Sequence, residues 1–117
     1  MRARIALGFA YFRLNVYKRA LEQLDAAVKQ EAGNELAHFY RAAVLYASRR
    51  PDEAVASYQT AVKLRPTFAE AHYYLGQIYA ERGQRAQAIA AFTAAIAANP
   101  KYEAAILALS KLKQGKQ

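Results

Sequence analysis

A 34-residue period constrains this 117-residue chain more strongly than its composition does. When residues 1–34, 35–68 and 69–102 are aligned, three columns hold alanine in every copy. A period of this length indicates a row of similar supersecondary units, each burying its apolar face against its neighbours. The three columns are Ala3/Ala37/Ala71, Ala20/Ala54/Ala88 and Ala27/Ala61/Ala95.

Each unit contains two apolar patterns with helical spacing. In the first unit, Ala20, Leu21, Leu24, Ala27 and Val28 follow the spacing i, i+1, i+4, i+7, i+8. This spacing predicts one apolar face of an α-helix, and an earlier set of apolar positions predicts a second helix. We therefore expect two helices of about a dozen residues per unit, joined by a tight turn.

The predicted turn falls at Asn15, Arg49 and Gly83 in the three units. Asparagine and glycine tolerate the left-handed backbone that ends a helix, but arginine does not favour it. In the second unit, we instead expect Pro51 to open the following helix, because proline suits the first turn.

Later in the chain, Thr67 followed by Glu70 predicts a capping box for the next helix.

The predicted fold class is all-α: a stack of three helix-turn-helix repeats and a C-terminal capping helix with a basic tail. The repeats span residues 1–34, 35–68 and 69–102, and the capping segment spans 103–117. The N-terminal edge has no comparable polar cap. We expect either that the chain comes from a longer array or that self-association covers this edge.

The repeat resembles the tetratricopeptide repeat (TPR). The third unit carries most of the family pattern, while the first has Arg4 in place of an aromatic residue and the second has Arg41 where leucine is usual. The resemblance implies that the repeats form a right-handed α-solenoid. It also implies a non-catalytic scaffold for protein-protein interaction. The residues that carry it in the third unit are Leu75, Gly76, Tyr79, Ala88, Phe92, Ala95 and Pro100.

Few residues offer catalytic or metal chemistry. Without cysteine, the chain has no disulfide, thiolate metal site or cysteine nucleophile. His38 and His72 share one repeat column, and we interpret them as half-buried fillers rather than metal ligands. We accordingly predict no enzyme activity, no cofactor and no metal.

The resemblance implies that partners bind an inner surface formed mainly by the first helix of each repeat. Aromatic residues are concentrated at these positions, and aromatics are enriched at binding hot spots.

The resemblance also allows one known binding mode of the family to be tested. Some TPR proteins hold acidic C-terminal tails with a clamp of Lys, Arg and Asn side chains. In this chain the clamp positions hold Ile5, Phe9, Tyr40, Glu70 and Tyr74, none of which matches the clamp residues. We instead predict a groove for a peptide or an amphipathic helix with large apolar side chains. The predicted contact residues are Phe9, Phe12, Phe39, Tyr40, Tyr73 and Tyr74, with Arg2 and Arg13 orienting the partner.

The net charge of +8 lies mainly at the two ends of the sequence, within residues 1–19 and 101–117. Two alternatives to the groove follow: self-association through the N-terminal edge or groove, and polyanion or nucleic-acid binding through the basic ends. The neutral middle of the chain disfavours polyanion binding.

No signal peptide or membrane-spanning segment is evident, so we expect a soluble chain, cytoplasmic by default, with no direct membrane insertion.

Overall fold

The computed structural model describes residues 2–114, with side chains from residue 3 onward. The described residues form α-helices and no strands, which confirms the predicted all-α fold class. The last residues of the predicted basic tail, 115–117, lie outside the described part. The helices are α1 (Arg2–Arg13), α2 (Tyr17–Gln30), α3 (Glu35–Ala47), α4 (Pro51–Leu64), α5 (Ala69–Glu81), α6 (Arg85–Ala98) and α7 (Glu103–Gln114).

The chain forms two compact units, Met1–Leu64 and Arg65–Gln117. In the first, α1 packs against α2 and α3 against α4, while α2 and α1 both contact α3. In the second, α5 packs against α6, and α6 against α7. The helices are 12 to 14 residues long, as the sequence predicts. The repeat boundaries at 34, 68 and 102 stay a prediction.

The turn inside each helix pair has the same backbone geometry in all three copies. Asn15, Arg49 and Gly83 have φ values of 63°, 64° and 75°, so all three adopt the left-handed conformation. The expectation that Arg49 would avoid this conformation was wrong. In every copy the next residue closes the turn by donating its N–H to a carbonyl five residues earlier. These bonds are Val16 to Tyr11 at 2.9 Å, Arg50 to Leu45 at 2.9 Å and Gln84 to Tyr79 at 2.8 Å.

Arg49→Gly is expected to raise the free energy of unfolding by about 1 kcal/mol, because glycine has no Cβ penalty in the left-handed conformation. Gly83→Ala in the equivalent turn is expected to lower it by a similar amount, since a Cβ there meets no atom within 4 Å and only the φ of +75° opposes it. Urea unfolding followed by circular dichroism measures both changes. Equal free energies of unfolding for Arg49→Gly and the parent chain would contradict the left-handed conformation at Arg49.

Two glycines allow close approach of paired helices. A Cβ built on Gly8 of α1 would lie 2.7 Å from Cγ of Leu24 on α2. A Cβ on Gly76 of α5 would lie 2.6 Å from Cε1 of Phe92 on α6. Leu24 and Phe92 are buried, so each fills the space that the missing side chain leaves open.

The helices α3 and α5 begin differently. Asn34 caps α3, because its Oδ1 accepts from the N–H groups of Leu36 and Ala37 at 3.0 and 3.3 Å. The capping box predicted at Thr67 was wrong: α5 begins at Ala69, and Phe68 occupies the cap position without a side-chain hydrogen bond. Phe68 is only 4% exposed, and burial of its ring accounts for a start of α5 one residue later than a cap by the Thr67 hydroxyl would give.

Candidate functional site

An open cleft of about 790 Å³ lies between α1 and the start of α3. We call it the α1–α3 cleft. Its walls come from α1, from the loop that joins α2 to α3, and from the first turns of α3. The lining residues are Ile5, Ala6, Phe9, Glu31, Gly33, Asn34, Glu35, Leu36 and Tyr40.

Aromatic and aliphatic side chains form much of the cleft surface. The rings of Phe9 on α1 and Tyr40 on α3 lie 5.0 Å apart between centroids, tilted by 45°. Phe9 is 36% exposed and Leu36 39% exposed, whereas Ile5 is buried and packs with Ala27 and Ala37. The cleft therefore joins apolar side chains that water still reaches to a buried apolar base.

Hydrogen bonds hold the loop wall of the cleft in place. Asn34, which caps α3, also donates from its Nδ2 to Oε1 of Glu31 at 3.0 Å. Nε2 of His38 lies 2.9 Å from the carbonyl oxygen of Ala32 in the same loop. The wall is thus tied to the helix that follows it, and a ligand would not have to order it on binding.

The charged groups that line the cleft are carboxylates. Glu31 and Glu35 lie on its loop and α3 side, and none of its lining residues, all within the described part of the chain, is Lys, Arg or His. Beside the cleft, the guanidinium carbon of Arg13 lies 5.9 Å from the centroid of the Phe9 ring. The cleft is accordingly an apolar surface with an acidic rim.

The predicted contact residues of the first unit divide into two groups. Phe9 and Tyr40 line the cleft. Phe12 packs against the core formed by Ala20, Leu24 and Val44, and the Phe39 ring contacts Tyr40 and Tyr58 with centroid distances of 5.4 and 5.6 Å. Arg13 is exposed at the end of α1, and the side chain of Arg2 lies outside the described residues.

The predicted contact residues of the second unit form a separate aromatic group. The Tyr73 ring contacts those of Tyr74, Phe92 and Tyr102, with centroid distances of 5.3, 5.7 and 5.1 Å. The Tyr73 hydroxyl also accepts a hydrogen bond from Nε2 of Gln77 at 3.0 Å. Burial, together with the neighbouring Tyr74, Glu70 and Tyr73, raises the pKa of Tyr102 to about 12. Tyr73 is therefore chiefly a packing residue, while Tyr74 is 38% exposed.

Sequence reasoning left several cleft residues out of the predicted contact set. Ile5, Ala6 and Leu36 occupy inner-face positions of the family pattern. They were left out because the prediction selected mainly aromatic residues at those positions. Glu31 and Asn34 lie between helices, where helical periodicity carries no signal. The glutamates and the asparagine next to the start of α3 are the only sequence cue to this wall.

The two histidines have the same structural role 34 residues apart. His72 places Nε2 2.9 Å from the carbonyl oxygen of Pro66, as His38 does with Ala32. Each imidazole thus links its helix to the preceding loop. Within residues 2–114, no group of three or more His, Cys, Asp or Glu side chains is arranged to hold a metal ion. None of the described helices has the length and apolar character needed to cross a membrane.

Comparison with known proteins decides the family. The model of the tetratricopeptide repeat matches residues 5–67 and again residues 44–103. The chain belongs to the tetratricopeptide repeat family. No curated protein matches this TPR chain in sequence.

Solved structures of TPR proteins share the fold at low sequence identity. MamA is 23% identical with a TM-score of 0.92, over 98% of this chain and 67% of its own. The first TPR of Spaghetti (RPAP3), bound to the HSP90 peptide SRMEEVD, is 18% identical with a TM-score of 0.90, over 96% and 89%. The Yersinia enterocolitica type III secretion chaperone SycD, in complex with a peptide of the translocator YopD, is 15% identical with a TM-score of 0.92, over 99% and 94%. Two of these three relatives are thus seen with a peptide bound.

Proposed function

We propose that this TPR chain is a non-catalytic interaction scaffold whose α1–α3 cleft receives a peptide or an amphipathic helix of a partner protein. The observation that carries the proposal is the pairing of Phe9 with Tyr40 beside the exposed Leu36. Large apolar side chains left open to solvent in a preformed cleft are typical of docking surfaces. The peptide complexes of RPAP3 and SycD support this role by likeness of fold.

The contact residues we propose first are Phe9 and Tyr40, together with Leu36. A helical ligand would present apolar residues at i, i+3 or i+4, and i+7 to such a surface. The roles of Phe12, Phe39, Tyr73, Tyr74 and the two arginines, Arg2 and Arg13, stay predictions. Polyanion binding gains no support from the cleft, because Glu31 and Glu35 would repel a polyanion there.

Truncating Phe9 and Leu36 together is expected to weaken peptide binding about 30-fold or more, since two hot-spot side chains each contribute more than about 1 kcal/mol. The probe is a peptide of 12 residues selected from a random library on the immobilised chain, with affinity measured by fluorescence anisotropy. The test variant is Phe9→Ala/Leu36→Ala.

Leu64→Ala serves as the matched control. Leu64 is 42% exposed at the end of α4, close to the 39% of Leu36, but it does not line the cleft. The control is expected to bind like the parent chain, and thermal melting checks that all variants fold. Selected peptides that bind the double variant as tightly as the parent would overturn the proposed site.

A further inference from the structure

Helix α1 has two apolar sides that lie about half a turn apart. One side is buried: Ile5 packs with Ala27 and Ala37. Gly8, on the same side, lies against Leu24 of α2. The other side is open to solvent, and a helix that is apolar on both sides is normally covered on both. We call this open side the α1 stripe; it consists of Ala3, Leu7, Ala10 and Leu14.

The α1 stripe is exposed along its whole length and has the residue spacing of a coiled-coil seam. Leu14 directly follows α1, and its N–H still donates to the carbonyl oxygen of Ala10 at 3.1 Å, so it continues the helical spacing. Leu14 is 70% exposed, the highest value among the large apolar side chains of residues 3–114, and Leu7 is 42% exposed. Arg4 and Arg13 border the stripe on its two sides, and α1 contains no acidic residue. A continuous exposed apolar surface of this kind is typical of an interface between proteins.

The same repeat columns are buried in the later repeats. In α3, Ala37 and Val44 occupy the columns of Ala3 and Ala10, and both are fully buried. The side chains that pack against them include three from helix α2: Ala20, Leu24 and Ala27. In α5, the residues of the stripe columns are at most 4% exposed at three positions: Ala71, Leu75 and Ile78. In α3 an α-helix thus covers the face that α1 leaves open.

We propose that the α1 stripes of two copies of this chain pack against each other, antiparallel and about a two-fold axis. With the axis between Leu7 and Ala10, Leu7 faces Ala10 of the second copy, and Leu14 faces Ala3 of the second copy. Each leucine then fills the space beside an alanine, as large and small residues do across a close helix pair. A parallel pair would place leucine on leucine and alanine on alanine, and the alanine layers would leave voids. The stripe thus supplies both the large and the small residues that it needs, which favours a second copy as its occupant.

The proposed contact is two-fold symmetric and small. Because both copies use the same surface, association stops at a dimer. Helix α1 has 12 residues and is about 18 Å long. So short a contact buries less than the roughly 1,200 Å² at which standard interfaces begin, and we expect a dissociation constant above about 1 μM. Arg4 and Arg13 bring only positive charge to its borders, so added salt strengthens the dimer by screening their repulsion. Phe9 lies on another side of α1, so pairing does not use the α1–α3 cleft.

Leu7→Lys/Leu14→Lys is expected to weaken dimerisation by about tenfold or more, because four ammonium groups would enter an apolar seam bordered by arginines. The readout is sedimentation velocity of the full chain over a wide concentration range. The matched control is Leu64→Lys/Leu107→Lys, which changes composition and charge equally at leucines that are 42% and 58% exposed and lie off the stripe. The control is expected to dimerise like the parent, and circular dichroism checks that every variant folds.

Because the chain has no cysteine, two single-cysteine variants test the antiparallel register. Ala3→Cys and Leu14→Cys, mixed in a glutathione redox buffer, are expected to form a disulfide between unlike copies, since these positions face each other. Each variant alone is expected to cross-link poorly, because like positions lie about 16 Å apart along the antiparallel pair.

A parent chain that stays monomeric up to about 1 mM would overturn the inference and leave the stripe to another occupant, such as a helix of a partner protein. Dimers that Leu7→Lys/Leu14→Lys leaves unchanged would also overturn it, as would Leu14→Cys that cross-links with itself as readily as with Ala3→Cys. Phe9→Ala/Leu36→Ala is expected to dimerise like the parent chain. Failure of the cleft as a docking site and failure of the dimer are therefore distinguishable.

Discussion

Replacing Leu24 by alanine is expected to lower the free energy of unfolding by about 2–5 kcal/mol, the range found for leucine truncation in a packed core. Leu24 is fully buried, and it packs with Ala20 and Val44 beneath the partly buried rings of Tyr11 and Tyr40. The lost side chain leaves a cavity that small neighbours cannot fill. Urea unfolding followed by circular dichroism measures the change. Leu7→Ala, at a 42% exposed position on α1, is expected to have a much smaller effect.

The same experiment tests the close approach of α1 and α2. Gly8→Ala alone is expected to destabilise the chain, because the new Cβ would lie 2.7 Å from Cγ of Leu24 and 3.0 Å from one of its methyl carbons. In Gly8→Ala/Leu24→Ala, the Leu24 atoms that would clash with the new Cβ are gone. The loss of unfolding free energy in this double variant is therefore expected to be smaller than the sum of the two single losses by about 1 kcal/mol or more. Strict additivity of the two losses would contradict the packing described here.

Arg41→Ala is expected to lower the free energy of unfolding by about 1–3 kcal/mol, the usual cost when a polar group loses charged hydrogen-bonding partners in a partly buried site. Arg41 stands where the family usually has leucine, and the structure explains the departure. Its Nε donates to Oδ1 of Asp25 on α2 at 2.6 Å, and its Nη1 donates to Oγ of Ser57 on α4 at 2.7 Å. One side chain thus links three helices, and its loss leaves Ser57, which is 3% exposed, without this donor.

The ion pair between Arg50 and Glu53 is the matched control. Its Nε–Oε1 distance is also 2.6 Å, but both side chains are nearly half exposed, and the pair lies within one turn of chain. The guanidinium of Arg50 lowers the pKa of Glu53, so any stabilisation is present at neutral pH and is lost as acid protonates that carboxylate. Arg50→Ala is expected to cost clearly less than Arg41→Ala. Equal losses in the two variants would show that the link through Ser57 has no energetic weight.

The helix pairs were predictable because their cause is local and repeated. Alanine at three columns and a 3.6-residue apolar period define two helices per unit, and Pro51 does open α4 as expected. Arg49 and Phe68 were not predictable in the same way. The residue type disfavours a left-handed turn at Arg49. The hydrogen bond that closes the turn and the packing of α3 against α4 prevail over that preference. At Phe68, burial of a ring decides the helix start, and burial is a property of the folded chain.

The cleft was predictable only in part. Phe9 and Tyr40 follow from the inner-face positions that the family implies, and both line it. Residue type alone does not tell an exposed ring from a packed one, so Phe12 and Tyr73 looked equivalent to Phe9 in sequence. The acidic rim depends on a loop residue, Glu31, whose position is fixed by its hydrogen bond from Asn34. No helical period carries that information.

The most direct test of the central claim is amide chemical-shift mapping of the chain with a library-selected peptide. The account predicts that the largest shifts fall on α1 and the first turns of α3, around Phe9, Leu36 and Tyr40, and that they vanish in Phe9→Ala/Leu36→Ala. Amides near Leu64 serve as the internal reference and are expected to stay unshifted. Shifts confined to other surfaces, with Phe9 and Leu36 unaffected, would contradict the claim that the α1–α3 cleft is the docking site.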